Sequence, residues 1–186
     1  MASRNRFLLA EAELKAAVST GSICVFVSHQ REDIAPAKAL ADYLLNDVQV
    51  DVYFDGYDQA LTTTTSASDE AQIVDAIEAG LTASTHLLAV LSAHTRGSWW
   101  VPFEFGSARG RDRPLAHILL DNVQDLPSFL LKSKLLVDQV ELASWARKLK
   151  LGDRLLSKSL DDFEPSLAIP RLPNARLTPP LFMRSL

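Results

Sequence analysis

Apolar residues in this chain fall into short runs of strand length separated by longer helical repeats. Residues 22–28 and 86–91 are continuous apolar runs, which are typical of strands buried on both faces of a parallel sheet. Residues 48–54 alternate apolar with polar positions and predict a strand nearer an edge. Two further strands are predicted over 115–120 and, from a weaker pattern, over 134–140.

Between these runs, apolar residues recur at the i, i+3, i+4 spacing of amphipathic helices. The predicted helices cover 5–18, 34–45, 69–81, a stretch beginning between Trp99 and Val101, and 142–151. Strands that alternate with helices favour a parallel sheet with right-handed crossovers. The fold class predicted is therefore α/β, a flavodoxin-like three-layer sandwich whose five-stranded parallel sheet has the order 2-1-3-4-5.

Length and composition predict one domain with appendages. The chain has 186 residues, of which 47% are hydrophobic and 23% charged, as in ordinary globular proteins. We expect a helical N-terminal extension over residues 1–20, the main domain over 21–155 and a proline-containing tail over 156–186.

Charge and cysteine content narrow the class of protein. The net charge of −4 argues against a nucleic-acid partner, since phosphate contacts need clustered Lys and Arg. The single cysteine, Cys24, excludes an internal disulfide framework and fits a reducing compartment. No apolar run approaches the length of a membrane span, and acidic residues interrupt the N-terminal stretch, so it does not resemble a secretory signal. We expect a cytoplasmic protein without a membrane partner.

Several common chemical motifs are missing from the sequence. No GxGxxG follows the first strand, and there is no P-loop, so the usual phosphate cradles are absent. No HExxH, CxxC or paired histidine spacing indicates a metal, and no GxSxG indicates a catalytic serine elbow. We therefore expect neither a metal nor a resident cofactor.

The predicted topology selects candidate residues. In open α/β sheets, ligands bind beyond the carboxyl ends of the strands, where the strand order reverses. The loops at that point begin with Ser28, His29 and Arg31 after the first strand, Asp55 after the second and Ser92 after the third.

The stretch SWWVPFEFGSARG, residues 98–110, holds the strongest candidate for chemistry. Glu104 follows Trp100 by four residues and Ser107 lies three residues further on, so the three share one side of a helix. A carboxylate in the early turns of a helix is favoured as its anion by the helix dipole. Tryptophans at helical spacing usually belong to a core, but a carboxylate between two phenylalanines is unusual for a solvated position.

Two longer stretches resemble the Toll/interleukin-1 receptor (TIR) domain family. The string ICVFVSHQREDIAPAKALADYL is similar to its first strand and helix. The string IVDAIEAGLTASTHLLAVLSAHTRGSWWVPFE is similar to the core that follows, with its Ser–Trp–x–x–x–Glu pattern. The resemblance covers about residues 22–150 and implies a flavodoxin-like fold. In the enzymatic branch, including the bacterial NAD-cleaving type, it implies that Glu104 is essential for cleaving NAD+.

The resemblance also implies a pocket and a reaction. Ser28, His29 and Arg31 would lie near the diphosphate or ribose, and Trp100 would shape the nicotinamide or adenine side. Cleavage of the N-glycosidic bond creates an oxocarbenium-like ribosyl centre, which a fixed carboxylate such as that of Glu104 stabilises. Nicotinamide is already a good leaving group, so a general acid is unnecessary. NAD+ is thus expected as substrate and not as cofactor.

One loop departs from the family pattern. Many TIR domains have a short Gly- or Pro-containing motif after the second strand that serves self-assembly, whereas this chain has Thr62–Thr65, with Gly56 only at the start of the loop. Assembly through this loop is in doubt, and closure of the loop over NAD+ is an alternative.

Three functions remain open from the sequence. The leading hypothesis is an NAD+ nucleosidase or ADP-ribosyl cyclase of the antiphage Thoeris type, whose nucleotide product acts on a separate effector protein. The second is a non-enzymatic TIR scaffold that associates through TIR surfaces. The third is an enzyme similar to nucleoside deoxyribosyltransferases, which share the fold class and a catalytic glutamate.

Overall fold

The computed structural model describes residues 3–55, 67–120, 123 and 126–151. These residues form a five-stranded parallel sheet in the order β2-β1-β3-β4-β5, which confirms the predicted flavodoxin-like arrangement. The strands are β1 (Cys24–Ser28), β2 (Asp51–Tyr53), β3 (His86–Leu91), β4 (Leu115–Leu119) and β5 (Lys134–Leu135). The helices are α1 (Glu11–Ser19), α2 (Ile34–Tyr43), α3 (Ala67–Thr82), α4 (Trp100–Gly110) and α5 (Gln139–Leu151).

The continuous apolar run of β1 is explained by burial on both faces of the sheet. Val25 and Val27 pack in one core cluster with α2 and α5. Cys24 and Phe26 point the opposite way and pack in a second cluster with α3 and α4. Because α2 and α4 follow the neighbouring strands β1 and β3 on opposite faces, the strand order reverses here, and the carboxyl ends of these two strands mark the crevice in which open α/β sheets bind ligands.

The edge strand β2 is shorter than predicted. Residues Leu44–Val48 continue α2 as one turn of π-helix, and Gln49 then adopts a left-handed conformation with φ 60°. Val48 is therefore helical, and the prediction of a strand over 48–54 was wrong at its start. The alternating pattern did not reveal the helical turn, because Val48 is an apolar, buried residue whether it ends a helix or begins a strand.

The last strand, predicted over 134–140, is also shorter than the pattern indicated. Asp138 ends it by capping α5, since its Oδ1 accepts a hydrogen bond of 2.7 Å from the backbone N–H of Glu141. Only Lys134–Leu135 pairs with β4.

The N-terminal residues pack along the free edge of β2. The backbone N–H of Val52 donates to the carbonyl of Arg4 at 3.1 Å. The Asn5 amide donates to the Phe54 carbonyl at 2.8 Å and accepts from the Phe54 N–H at 3.1 Å. Arg6 is 1% exposed and forms an ion pair of 2.8 Å with Asp51. This edge is therefore covered by the chain itself.

The helix predicted over 5–18 consists of two elements. A short 3₁₀ turn covers Arg6–Leu8, the chain is extended at Leu9, and α1 begins only at Glu11. The extended break lets Asn5 and Arg6 reach β2, as described above.

Two predicted features, the loop with Gly56 and Thr62–Thr65 and the tail over 156–186, lie outside the described residues. Among the residues that are described, no helix combines the length and apolar character required to cross a membrane.

Candidate active site

Ser28 and Glu104 are joined by a buried hydrogen bond at the carboxyl end of β1. Ser28 lies two residues after Phe26 and so points to the α4 side of the sheet. Its hydroxyl donates to Oε2 of Glu104 at 2.5 Å. Glu104 is 7% exposed, and the Ser28 hydroxyl is the hydrogen-bond partner of its carboxyl group. The carboxyl group therefore lies against the sheet and does not extend into bulk solvent.

The surroundings of Glu104 disfavour its charged form. Burial raises the pKa of Glu104 to about 8, the hydrogen bond from Ser28 opposes this rise, and the negative charge of Asp55 adds to it. The direction is opposite to the expectation from the helix dipole, because loss of hydration outweighs the field of one helix terminus. At neutral pH the carboxyl group is mostly protonated.

His29 and Asp55 meet at the adjacent edge of the crevice. The ring of His29 packs on Phe54, with centroids 5.0 Å apart. Its Nδ1 lies 3.2 Å from the carbonyl of Val27, and its Nε2 lies 4.0 Å from Oδ1 of Asp55. Because a carbonyl only accepts hydrogen bonds, Nδ1 carries the hydrogen and Nε2 faces the carboxylate.

Ser92 lies on the other face of the sheet and holds a second buried carboxylate. Leu88 and Val90 point towards α2, and Ser92 continues this alternation past the end of β3. The Ser92 hydroxyl donates to Oδ2 of Asp33 at 2.5 Å, and Nδ1 of His94 lies 3.1 Å from Oδ1 of the same group. The loops after β1 and β3 are thus joined through Asp33.

The sequence did not identify Asp33 or His94 as site residues. Asp33 directly precedes α2 and has the appearance of a helix cap, although its side chain does not cap that helix. His94 follows a strand by three residues, and isolated histidines are usually structural. The only sequence signal for Asp33 and His94 was their position in the polar stretches that follow two neighbouring buried strands.

The remaining predicted residues occupy more exposed positions. Trp100 is half-buried and packs edge-on against Phe103, with centroids 6.5 Å apart. Ser107 is half-buried, and its carbonyl accepts from Arg111 at 3.1 Å. Arg31 is exposed at the start of a 3₁₀ turn, where its backbone N–H donates to the Gln30 side chain. The structure pairs Ser28 with Glu104 and His29 with Asp55. Trp100, Ser107 and Arg31 form no described contact with either pair.

Metal coordination is not indicated by the arrangement. Within residues 3–55, 67–120, 123 and 126–151, His, Cys, Asp and Glu side chains do not gather in groups of three or more that could hold a metal ion. Cys24 is buried, and burial raises the pKa of its thiol to about 12, so it is a poor nucleophile and ligand.

A model of a known protein family matches most of the chain. The family model described as "TIR domain" matches residues 25–155 of the 186-residue chain, a range that covers β1 from Val25 onward, Glu104 and α5. No curated protein matches the sequence.

Proposed function

The chain belongs to the TIR domain family, and from that premise we propose that it cleaves NAD+ at the bond between nicotinamide and ribose. The family includes NAD-cleaving enzymes. The observation that carries the proposal is the buried Glu104 carboxyl group, held by Ser28 at the switch point of the sheet. A group that serves stability alone would not need an ionisable side chain at this position.

The carboxylate of Glu104 suits the charge that develops in the reaction. As the C–N bond lengthens, positive charge appears on the ribosyl C1 and its ring oxygen. Nicotinamide departs as a neutral molecule with the electron pair of the bond, so no proton donor is needed. A fixed anion in a water-poor site stabilises the ribosyl cation more than it stabilises the substrate.

Substrate binding would ionise Glu104. The raised pKa of about 8 leaves the carboxyl group of the free protein mostly protonated at neutral pH. The nicotinamide ring of NAD+ is a cation, and a nearby positive charge lowers the pKa of a carboxyl group. Binding and ionisation are therefore coupled, and a neutral analogue of NAD+ would not provide this effect.

The remaining site residues would hold the rest of the substrate. Ser28 orients Glu104, while His29 and Asp55 form a polar pair that fits ribose hydroxyls. Exposed Arg31 is available to a diphosphate, and half-buried Trp100 offers a flat surface to nicotinamide or adenine.

Ser92 and Ser107 are proposed as further residues of the substrate-binding site, Ser92 in the loop after β3 and Ser107 on α4. The hydroxyl of Ser92 is engaged with Asp33 in the free protein, so its contribution would be mainly to the shape of the loop after β3. Ser107 lies one turn beyond Glu104 on α4.

Nicotinamide release measured with Glu104→Gln tests the proposal. Glutamine keeps the size of the side chain and can accept from Ser28 but cannot become an anion. We expect release to fall by about 100-fold or more, while Glu32→Gln, at an exposed position in the neighbouring loop, keeps the original rate. Equal rates in the Glu104 variant and the original protein would contradict the proposed role. Cleavage of deoxynucleosides in place of NAD+ would indicate the deoxyribosyltransferase-like alternative.

One observation favours a second candidate, a TIR scaffold without enzymatic activity. Trp99 is 87% exposed beside the crevice, and exposed tryptophans are enriched at protein interfaces. Self-association is measured by light scattering with the original protein and Trp99→Ser. Dimers that need Trp99, in a protein that leaves NAD+ intact, would favour the scaffold.

The proposed biological setting is bacterial antiphage immunity of the Thoeris type. There, a cytoplasmic TIR enzyme makes an ADP-ribose-derived signal for a separate effector protein. Mass spectrometry of the products separates ADP-ribose from a cyclic isomer or a conjugate. ADP-ribose as sole product in infected and uninfected cells would contradict a signalling role.

A further inference from the structure

Asp33 and His94 form a carboxylate–imidazole pair at the carboxyl end of β3. The Asp33 side chain is 5% exposed, whereas that of His94 is 55% exposed. Oδ1 of Asp33 lies 3.1 Å from Nδ1 of His94, and Oδ2 accepts from the Ser92 hydroxyl. The Ser92 oxygen in turn accepts from the backbone N–H of His94 at 3.0 Å. Both the ring and the backbone of His94 are therefore fixed.

The contacts of Asp33 determine which ring nitrogen of His94 is available. A carboxylate only accepts hydrogen bonds, so the hydrogen of the neutral ring lies on Nδ1. Nε2 then keeps its lone pair, and no described residue forms a hydrogen bond with it. A buried carboxylate that holds Nδ1–H also stabilises the imidazolium formed when Nε2 takes up a proton. The pair has the arrangement of a general base.

This pair and Glu104 flank the ends of the same two strands. Ser28, the partner of Glu104, is paired in register with Ala89. Ser92, the partner of Asp33, lies three residues beyond Ala89, about 10 Å further along the strand. Glu104 reaches the crevice from the α4 side and Asp33 from the α2 side. One ribosyl C1 and an attacking oxygen fit between groups separated in this way, as a sugar and a water molecule fit between the carboxyl groups of inverting glycosidases, which lie roughly 6.5–9.5 Å apart.

We propose that His94 is the general base for the hydroxyl group that replaces nicotinamide, and that Asp33 is its positioning residue. The inference rests on the proposed NAD+ cleavage. The acceptor oxygen bonds to the ribosyl C1 as the C–N bond breaks, and the electron pair leaves with nicotinamide. The acceptor proton moves to Nε2 of His94 and is later lost to solvent. The acceptor is water or a sugar hydroxyl.

A competition between two kinds of acceptor isolates this step. Water and methanol must lose a proton on attack, whereas the nitrogen of 3-acetylpyridine attacks with a free lone pair and needs no base. Transfer to either acceptor requires the same departure of nicotinamide. The ratio of oxygen-linked products to acetylpyridine exchange therefore reports on the base alone.

His94→Gln removes the base at a half-exposed position, and Asp33→Asn keeps the shape of the positioning residue. An asparagine amide would donate to Nδ1 and move the ring hydrogen to Nε2, as in the aspartate-to-asparagine change of a serine-protease triad. We expect both variants to lower transfer to oxygen at least about tenfold while exchange stays within about twofold. His86→Gln, at the amino end of β3, is the matched control and should leave the ratio unchanged.

Other results overturn the proposal in distinguishable ways. Equal losses of oxygen transfer and exchange in His94→Gln would mean that His94 supports binding or folding and is not the base. An unchanged ratio would remove His94 from the reaction. If the original protein neither releases nicotinamide nor exchanges it, the proposed function itself fails, and this inference fails with it.

Discussion

Replacing Glu104 with glutamine should make the protein more resistant to unfolding as the pH rises. The folded state raises the pKa of Glu104 from 4.5 to about 8. Between these two values the unfolded chain has lost the proton while the folded protein keeps it, so each pH unit costs about 1.4 kcal/mol of stability. The stability that depends on keeping Glu104 protonated is fully present below pH 4.5 and is lost as the pH rises through about 8. From about pH 5 to about pH 7.5 the loss is on the order of 3 kcal/mol.

Glutamine does not titrate, so the variant should lack this loss. Urea unfolding followed by circular dichroism at closely spaced pH values gives the free energy of unfolding of both proteins. Their difference should grow steadily across the interval and level off above about pH 8. Glu32→Gln, at an exposed carboxylate, should give a flat difference. A flat difference for Glu104→Gln as well would refute the assignment of a protonated, buried carboxyl group.

Two further changes test the site and the core. Ser28→Ala removes the hydrogen bond that lowers the pKa of Glu104. The increase of kcat/KM for NAD+ with pH, which reports ionisation of Glu104 in the proposed reaction, should therefore move to higher pH. A pH profile that does not move would contradict the contact between Ser28 and Glu104. Gly80→Ala would bring a Cβ to 2.4 Å from the ring of Tyr53, and the free energy of unfolding should fall by about 1–3 kcal/mol. Gly97→Ala, with open space around its Cβ, is the control in the same thermal melts, and equal midpoints for the two would show that the ring yields.

The arrangement of strands was predictable because each strand carries its own burial pattern. The continuous apolar run of β1 reflects packing against helices on both faces, and this alone indicates a central parallel strand. Glu104 was selected as a candidate because a carboxylate among aromatic residues is unusual in an ordinary core or surface helix. Its ionisation state was predicted in the wrong direction, because the raised pKa depends on the loss of hydration as α4 packs against Ser28, which the sequence does not reveal.

The pair of Asp33 and His94 could not be predicted from sequence. The two residues are 61 positions apart, and their contact depends on the paths of two loops. Arg6 is a similar case, since nothing in the N-terminal pattern indicates a buried guanidinium. The guanidinium donates four hydrogen bonds to oxygens of Asp51, Ala83 and Ser22, which lie on three separate segments.

The two buried carboxyl groups follow from one property of the sheet. Successive side chains of a strand point to opposite faces of the sheet. Ser28 is paired with Ala89, and Ser92 lies three residues after Ala89, so Ser28 faces α4 while Ser92 faces α2. Ser28 is the last residue of β1 and Ser92 directly follows β3, and each serine holds a carboxyl group from the helix region on its own face. Glu104 has a hydroxyl as its partner and is held as an acid, whereas Asp33 has both a hydroxyl and an imidazole. A substrate that brings a cation to Glu104 and a hydroxyl to His94 would use both groups, as the proposed cleavage of NAD+ with an oxygen acceptor requires.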